Sequence, residues 1–375
     1  MNYLKIELPS KNKTEVLALG AQSKSSFCFV KKHVAYLSGP GGDLDEIDDL
    51  RIFEKKIRQL KKTLKARPRI IACDLHPEYI STRLANEMVQ KGSVLIPVQH
   101  HEAHIASCII DNGLKAPVIG VAFDGTGLGL DGNIWGGEFF VGTLRDLKRT
   151  AHLKYIPMPG GASSVKEPWR MALSYLYSVY GAGFKDLKID FIKRLDKKKR
   201  DLLVQIIDKG INSPMTSSMG RLFDAVSSIV GICWVASHEG QAAIALEKAM
   251  DGALGLKVKG YKFSIAENRD VFIIDPERLI RGIVKDLRNK IPEGIISLKF
   301  HNCVCDMIKE TCMLLRKRYK IRKICLSGGV FQNRYLNKGL RPLLEGEGFD
   351  VYLHTRVPTH DANIALGQAI LALKG

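Results

Sequence analysis

A chain of 375 residues with 45% hydrophobic and 26% charged content is long enough for two lobes, since domains commonly run to about 100–200 residues. Its apolar runs are short and broken by charge, none approaching the ~18–20 residues of a membrane span, and its opening residues carry no secretory signal, so a cytoplasmic protein without a membrane partner is expected. A net charge of +18 raises nucleic acid as a partner, but the basic runs are not interleaved with base-stacking aromatics, so solvated helix faces are preferred and nucleic acid is the lesser alternative.

Residues 16–30 read as a hairpin around the polar turn Gln22–Ser26, a loop able to face a phosphate. A helix is expected from Asp45 to Leu64, then a buried strand Ile70–Asp74 running into the loop Leu75–Pro77, and a helix from Ser81 to Lys91. Val94–Val98 reads as a strand and His100–Asp111 as a helix stopped by Asn112 and Gly113. Val118–Phe123 and Ile134–Val141 read as strands flanking a turn that carries Gly125, Gly127, Gly129 and Gly132. The stretch from Pro168 to Met250 is mostly helical. Lys323–Leu326 is a strand leading into Ser327, Gly328 and Gly329, Val351–Leu353 another, and Ala362–Leu373 a closing helix. Alternating strands and helices predict an α/β fold: a first lobe over 1–115, to which the helix at about 355–375 returns, and a second over 116–354 with a helical insertion at about 160–250.

The eight cysteines are scattered, and the nearest pair, Cys303 and Cys305, has no matching second pair, so all are expected to be buried hydrophobes. His100 and His104 are one helical turn apart, which puts both imidazoles on one face where they can share a cation. Asp124, at the end of a buried strand, and Asp361, before the last helix, are the proposed companions. Two histidines and two carboxylates suit zinc or ferrous iron, and ligand type does not separate them. The Asp124–Gly129 loop joins two strands, whereas a dinucleotide fingerprint opens a helix. Together with Ser327–Gly329, also after a strand, it suggests a nucleotide gripped in a cleft. Arg221 and Asp224 share one side of a helix, with Glu239 in the next segment; an ordinary intrahelical ion pair and a site role stay open. There is no nucleophile elbow and no cysteine–histidine signature.

Several segments, in order along nearly the whole chain, resemble one family. They include Val16–Ala21, Cys73–Tyr79, Gln99–His104, Phe123–Gly127, Ile134–Glu138, Glu167–Arg170, Gly220–Ala225, Glu239–Ala243, Ser327–Asn333 and Leu366–Ala369. The family is the C-terminal carbamoyltransferase module of the hydrogenase-maturation protein HypF. The resemblance implies an actin-like ATPase (ASKHA) fold of two ribonuclease-H-like lobes with nucleotide and metal between them. It implies metal ligation by His100, His104, Asp124 and Asp361, the first three also serving catalysis. It further implies that Lys24, Gly125, Thr126, Gly127, Arg221, Asp224, Glu239, Ser327, Gly328, Gly329 and Asn333 line a pocket for carbamoyl adenylate, an ATP-derived AMP anhydride.

The acceptor so implied is the C-terminal cysteine thiol of a HypE-like protein, in maturation of nickel–iron hydrogenase. Full-length HypF also carries acylphosphatase, zinc-finger and adenylate-forming modules that this sequence does not contain, so a separate adenylate-forming partner protein is expected. Departures from the family pattern are Glu102 for a usual His, Met219 for Cys, His238 for Tyr, and Ala362 with Asn363 for Gly-Gly. The alternatives are a tRNA threonylcarbamoyltransferase-like enzyme, favoured by the basic charge and Glu102, a small-molecule O-carbamoyltransferase, and a non-catalytic nucleotide-binding module.

Overall fold

A computed structural model of the chain describes residues 3–9 and 14–373; the ends of the first lobe and of the closing stretch expected at about 355–375 lie outside the described residues. Two sheets dominate, and they repeat one topology. In the first, the strands Val16–Ala18, Cys28–Lys31 and Val34–Leu37 form an antiparallel meander, with Leu4–Glu7 on its outer edge. Ile70–Asp74 and Val94–Val98 then add in parallel on the other side of Val16–Ala18. The crossovers between parallel strands carry the helices Ile47–Leu64 and Ile80–Met88, as parallel pairing requires.

The second sheet has the same plan. Val118–Leu128, Ile134–Gly142 and Lys148–Leu153 form the meander, and Lys323–Ser327 and Asp350–Tyr352 add in parallel beside Val118–Leu128. The hairpin Ser264–Asn268 with Val271–Asp275 extends its outer edge. A meander followed by two parallel strands, present twice, is the duplicated ribonuclease-H-like architecture of the actin-like class, as expected from the sequence. The central strands are apolar on nearly every residue because helices cover both faces.

Each sheet is followed by a helix that reaches toward the other. Ile105, Cys108 and Ile109 of the helix His100–Asp111, which follows the first sheet, pack with Val118, Ala122 and Cys325 of the second. Conversely Ile364, Ala365, Leu366, Ala369 and Ile370 of the helix Ile364–Ala372, after the second sheet, join Val16, Ala18, Cys28 and Ala72 of the first. The two helices meet so closely that a Cβ on Gly367 would lie 1.9 Å from the Ala103 carbonyl oxygen. That crossing fixes the histidine helix from both sides and buries eleven of its twelve residues.

Three expectations change. The strand after Val118 does not stop at Phe123: it continues to Leu128 with a register shift between Phe123 and Gly127, and the reversal comes at Gly129, whose N–H donates to the Asn133 carbonyl at 2.8 Å. The helix expected from Ser81 to Lys91 spans Ile80–Met88, because Val89 is already extended. The later part of the chain holds elements not foreseen, among them Lys148–Leu153 and the helix Arg334–Gly346, while the helical periodicity around Cys303 and Cys305 belongs to a helix of 27 residues, Glu293–Tyr319. All eight cysteines are buried and unpaired, as expected.

Candidate active site

The histidine helix begins at Gln99, whose side-chain oxygen accepts from the Glu102 N–H at 2.9 Å while its amide donates to the Leu128 carbonyl at 3.0 Å. This cap pins the first turn against the end of the bulged strand. His100 and His104 then project from one face, their ring centroids 5.0 Å apart. The register shift beyond Phe123 lets Asp124 leave the sheet's alternation and turn toward them, which is what a bulge does to a strand-end side chain. Its Oδ2 lies 3.3 Å from His100 Nε2 and 3.4 Å from His104 Nε2, and its Oδ1 accepts from the Gly329 N–H at 2.8 Å. Asp361 comes from the turn before the last helix, with Oδ1 at 3.9 Å and 3.8 Å from the same two nitrogens.

One ligand atom from each of these four residues lies within 4.8 Å of all the others. Donors about 2.0–2.2 Å from a tetrahedral ion stand roughly 3.3–3.6 Å apart, close to the separations found here. His104 Nε2 is buried and makes no hydrogen bond, a cost that a cation at this point removes. The donor set and its geometry therefore fit a divalent metal.

The electrostatics agree. Burial by itself would lower His100, but Asp74 and Asp124 outweigh it and hold the imidazole well above its ordinary range. Burial lowers His104, only partly opposed by Asp124. Asp124 is held well below the usual carboxylate range because the two histidines overcome its burial. Asp361 is pushed up to about 8, first by burial and then by the charge of Asp124. Two buried carboxylates thus compete for too little positive charge.

Asp74 was missed as a site residue. It ends the strand Ile70–Asp74, and its Oδ2 lies 2.7 Å from His100 Nδ1; carboxylate–histidine–metal arrangements of this kind orient a ligating ring. The available signal was its place in the segment Cys73–Tyr79, where it directly precedes the loop. Ser218 was also missed. It caps the helix Met219–Val230 and its Oγ donates to the Asp124 carbonyl at 3.0 Å, bracing the bulge.

Beside the cluster lies a cavity of about 290 Å³ between the two sheets. Lys24, Asp124, Gly125, Arg221, Asp224, Glu239, Gly329 and Asn333 of the expected residues line it, so Asp124 belongs to both cluster and cavity. Thr126, Gly127, Ser327 and Gly328 are not among the lining residues. Thr126 and Gly127 lie within the bulged strand, with Gly127 packed against His100 and His101. Ser327 is fully buried behind His104, and Gly328, at φ 104°, packs on the Phe123 carbonyl. Larger hollows exist, one of about 860 Å³ beside Lys259 and Lys262, but they contain no residue of the ligating cluster.

Arg221 and Asp224 form an ion pair at 2.7 Å with side chains only 3% and 4% exposed. This is not a solvated intrahelical pair. Arg221 Nε and Nη1 are buried without hydrogen-bond partners, as suits a guanidinium waiting for a ligand. Lys24 occupies the left-handed region at φ 49°, a strained setting that clusters at functional loops. Burial opposes its charge, but Glu239, Asp361 and Asp124 raise its affinity for the proton, so it faces the cavity as a cation.

The fold and site define a two-lobed protein of the actin-like class, with a four-ligand cluster and a cavity where its lobes meet. Family comparison narrows this. Residues 120–368 match the family described as carbamoyltransferase, Kae1-like domain, second subdomain, and residues 11–111 match the HypF Kae1-like domain. The chain belongs to the HypF family, over its C-terminal carbamoyltransferase module.

It is 32% identical to carbamoyltransferase HypF of Synechocystis sp., covering 98% of this chain and 48% of that protein. A carbamoyltransferase HypF homolog of Cupriavidus necator is 30% identical, with 96% of this chain and 91% of that one covered. A crystal structure of full-length HypF in the phosphate- and nucleotide-bound form superimposes with a TM-score of 0.91 at 39% identity, over 99% of this chain and 57% of that one. HypF of T. kodakarensis gives 0.88 at 29% identity, over 99% and 48%. The chain thus spans about half the length of most curated relatives it matches.

Proposed function

We propose that this chain transfers a carbamoyl group from carbamoyl adenylate to the C-terminal cysteine thiol of a HypE-like protein, in the maturation of nickel–iron hydrogenase. The observation that carries the reading is that Asp124 is shared between the ligating cluster and the cavity, which sets a Lewis-acid site against one end of a bound nucleotide. Asp224 and Glu239 are acceptors for ribose hydroxyls, and Phe223, Ala243, Ile244 and Val330 supply apolar surface for a base. Lys24 faces the phosphate as a cation, and Gly125 and Gly329, which carry no side chain, let it approach the cavity wall.

In the transfer, the thiolate sulfur attacks the carbamoyl carbon, the bond from that carbon to the phosphate oxygen breaks, AMP departs, and the thiol proton goes to solvent. Lys24 neutralises the charge that develops on the leaving phosphate. A zinc or ferrous ion held by His100, His104, Asp124 and Asp361 would polarise the carbamoyl oxygen as a Lewis acid. His100 and His104 present Nε2 to it, while Asp74 orients the first ring.

The longer relatives give no support for a separate adenylate-forming protein, and none is proposed. The lobes are assigned as residues 1–115 with the returning last helix, and 116–354. Among the described residues no helix is long and apolar enough to cross a membrane, and the cytoplasm is the compartment that fits a free thiol acceptor.

The test is intact-mass analysis of a purified HypE-like acceptor incubated with this protein and carbamoyl adenylate, beside His104→Ala. A gain of one carbamoyl group at the C-terminal cysteine, lost in the variant, is expected. An unmodified acceptor, with full-length HypF active under the same conditions, overturns the reading.

A further inference from the structure

Behind His104, on the side of its ring away from the cluster, buried groups from separate elements form a chain. His104 Nδ1 lies 3.2 Å from Asn363 Oδ1 and 3.4 Å from Ser327 Oγ. Ser327 Oγ lies 2.8 Å from His354 Nε2, and His354 Nδ1 faces Asp111 Oδ2 at 3.7 Å, a charge contact rather than a hydrogen bond. The side chains of His354 and Asp111 are 1% and 0% exposed, and His104 and Ser327 are fully buried.

We propose that Asp111, His354 and Ser327 form a positioning relay that keeps the ring proton of His104 on Nδ1 and so leaves its Nε2 lone pair free toward Asp124 and Asp361. This rests on the reading of the cluster as a metal centre. The direction of the relay follows from its two ends. Asp111 is immobilised by the backbone N–H groups of Thr355 at 2.6 Å and Arg356 at 3.1 Å and by Arg356 Nε at 2.9 Å, so a fixed negative charge faces His354 Nδ1. Burial keeps His354 neutral, against the pull of Asp111, and its single proton belongs on the nitrogen nearest that charge.

His354 Nε2 is then an acceptor. The Ser327 hydroxyl donates to it, and the remaining lone pairs of Ser327 Oγ can only accept. At the other end, Asn363 is oriented by its amide donating to the Pro358 carbonyl at 2.9 Å, which turns Oδ1, an acceptor, toward His104 Nδ1. Both groups that meet His104 Nδ1 therefore require a proton there.

Asn363 stands where the family resemblance leads one to expect glycine, so this second acceptor is a feature of this chain. The two ligating histidines are consequently held differently, His100 by a carboxylate directly and His104 through Ser327 and His354, with the Asp111 carboxylate at the far end. A ring that carried its proton on Nε2 would have no lone pair to offer the cluster.

The test uses two readouts on the full chain. Long-range proton–nitrogen NMR of ¹⁵N-histidine-labelled protein, freed of metal by chelator, reports the His104 tautomer; the Nδ1–H form is expected in the wild type and a mixture of tautomers in Ser327→Ala. Chelator-competition titration with zinc then reads affinity, expected to fall roughly 10–100-fold in Ser327→Ala and in His354→Gln. Thermal melting separates this from unfolding, since Ser327→Ala removes one oxygen and creates no steric demand. An Nε2–H tautomer in the wild type, or unchanged zinc affinity in folded Ser327→Ala, overturns the relay. A wild type that takes up no zinc or ferrous ion sinks the metal reading instead, while the tautomer measurement still judges the relay.

Discussion

Asp74 Oδ2 stands 2.7 Å from His100 Nδ1, while His100 Nε2 faces Asp124 and Asp361. The ring is thus clamped between a carboxylate that orients it and the two that would share its metal. Asp74→Asn keeps the shape but replaces a charged acceptor by an amide that can present either end to the ring. Zinc affinity, read by chelator competition, is expected to fall roughly 10–100-fold, with folding little changed. Wild-type affinity in this variant would show that the contact is packing alone.

The buried Arg221–Asp224 pair gives a second prediction. Removing one partner strands the other as an uncompensated charge at a site less than a twentieth exposed, which costs about 3–5 kcal/mol. Arg221→Met is therefore expected to lower the melting temperature and abolish AMP binding. The double change Arg221→Met with Asp224→Leu removes both charges and is expected to recover most of the stability without recovering AMP binding. Recovery of both would mean that the pair serves the fold and not the cavity.

The histidine pair was legible in the sequence because its one-turn spacing is a local fact that survives folding. Asp124 and Asp361 were legible as carboxylates at element ends, although their meeting depends on the crossing of two helices. Asp74 was not, since its role exists only once the strand Ile70–Asp74 lies beside the start of the histidine helix. Glycines at 125 and 127 suggested a turn, yet they serve a strand that continues through a shifted register. Lys148–Leu153 escaped detection because Arg149 breaks the apolar alternation; in the fold that guanidinium lies 3.9 Å from the Trp135 ring centroid and pairs with buried Glu138. The hairpin strand Ser264–Asn268 is largely exposed, so no apolar face marked it.

His301 predicts a pH dependence of stability. It is fully buried in the helix Glu293–Tyr319, its Nδ1–H donates to the Ser297 carbonyl at 2.8 Å, and its Nε2 accepts from the Asn333 amide at 3.0 Å. Burial lowers its pKa to about 4 from an ordinary 6.5. Between those values the unfolded chain binds the proton and the folded chain resists it, so stability falls as pH drops from 6.5 to about 4 and this contribution then levels off. The loss is of order 3 kcal/mol at most. Urea titrations at neutral pH and near the lower limit are expected to show it, and His301→Gln, which cannot protonate, is expected to reduce it. An equal loss in the variant would place the acid sensitivity elsewhere. AMP affinity of the folded chain is expected to hold across this window and to fall only as pH approaches about 4, where folded His301 itself takes the proton and its Nε2 can no longer accept from Asn333 at the cavity wall.

Gly127 packs against the ligating helix without lining the cavity. A Cβ there would lie 2.6 Å from His101 Cε1 and 3.0 Å from both Cβ and Cδ2 of His100, and the histidine helix cannot retreat because Gly367 already brings the closing helix against Ala103. Gly127→Ala therefore has to displace the His101 ring and crowd the His100 ring beside it, at an overpacking cost of about 1–3 kcal/mol. Since Gly127 does not line the cavity, zinc affinity is expected to drop at least as far as in Asp74→Asn, whereas AMP affinity changes by less than about threefold, under 1 kcal/mol. Calorimetric titrations of the two ligands on the same folded variant decide it. Parallel losses of zinc and AMP would mean that cluster and cavity respond as one unit, and that the bulged strand transmits strain along its length instead of confining it to the metal side.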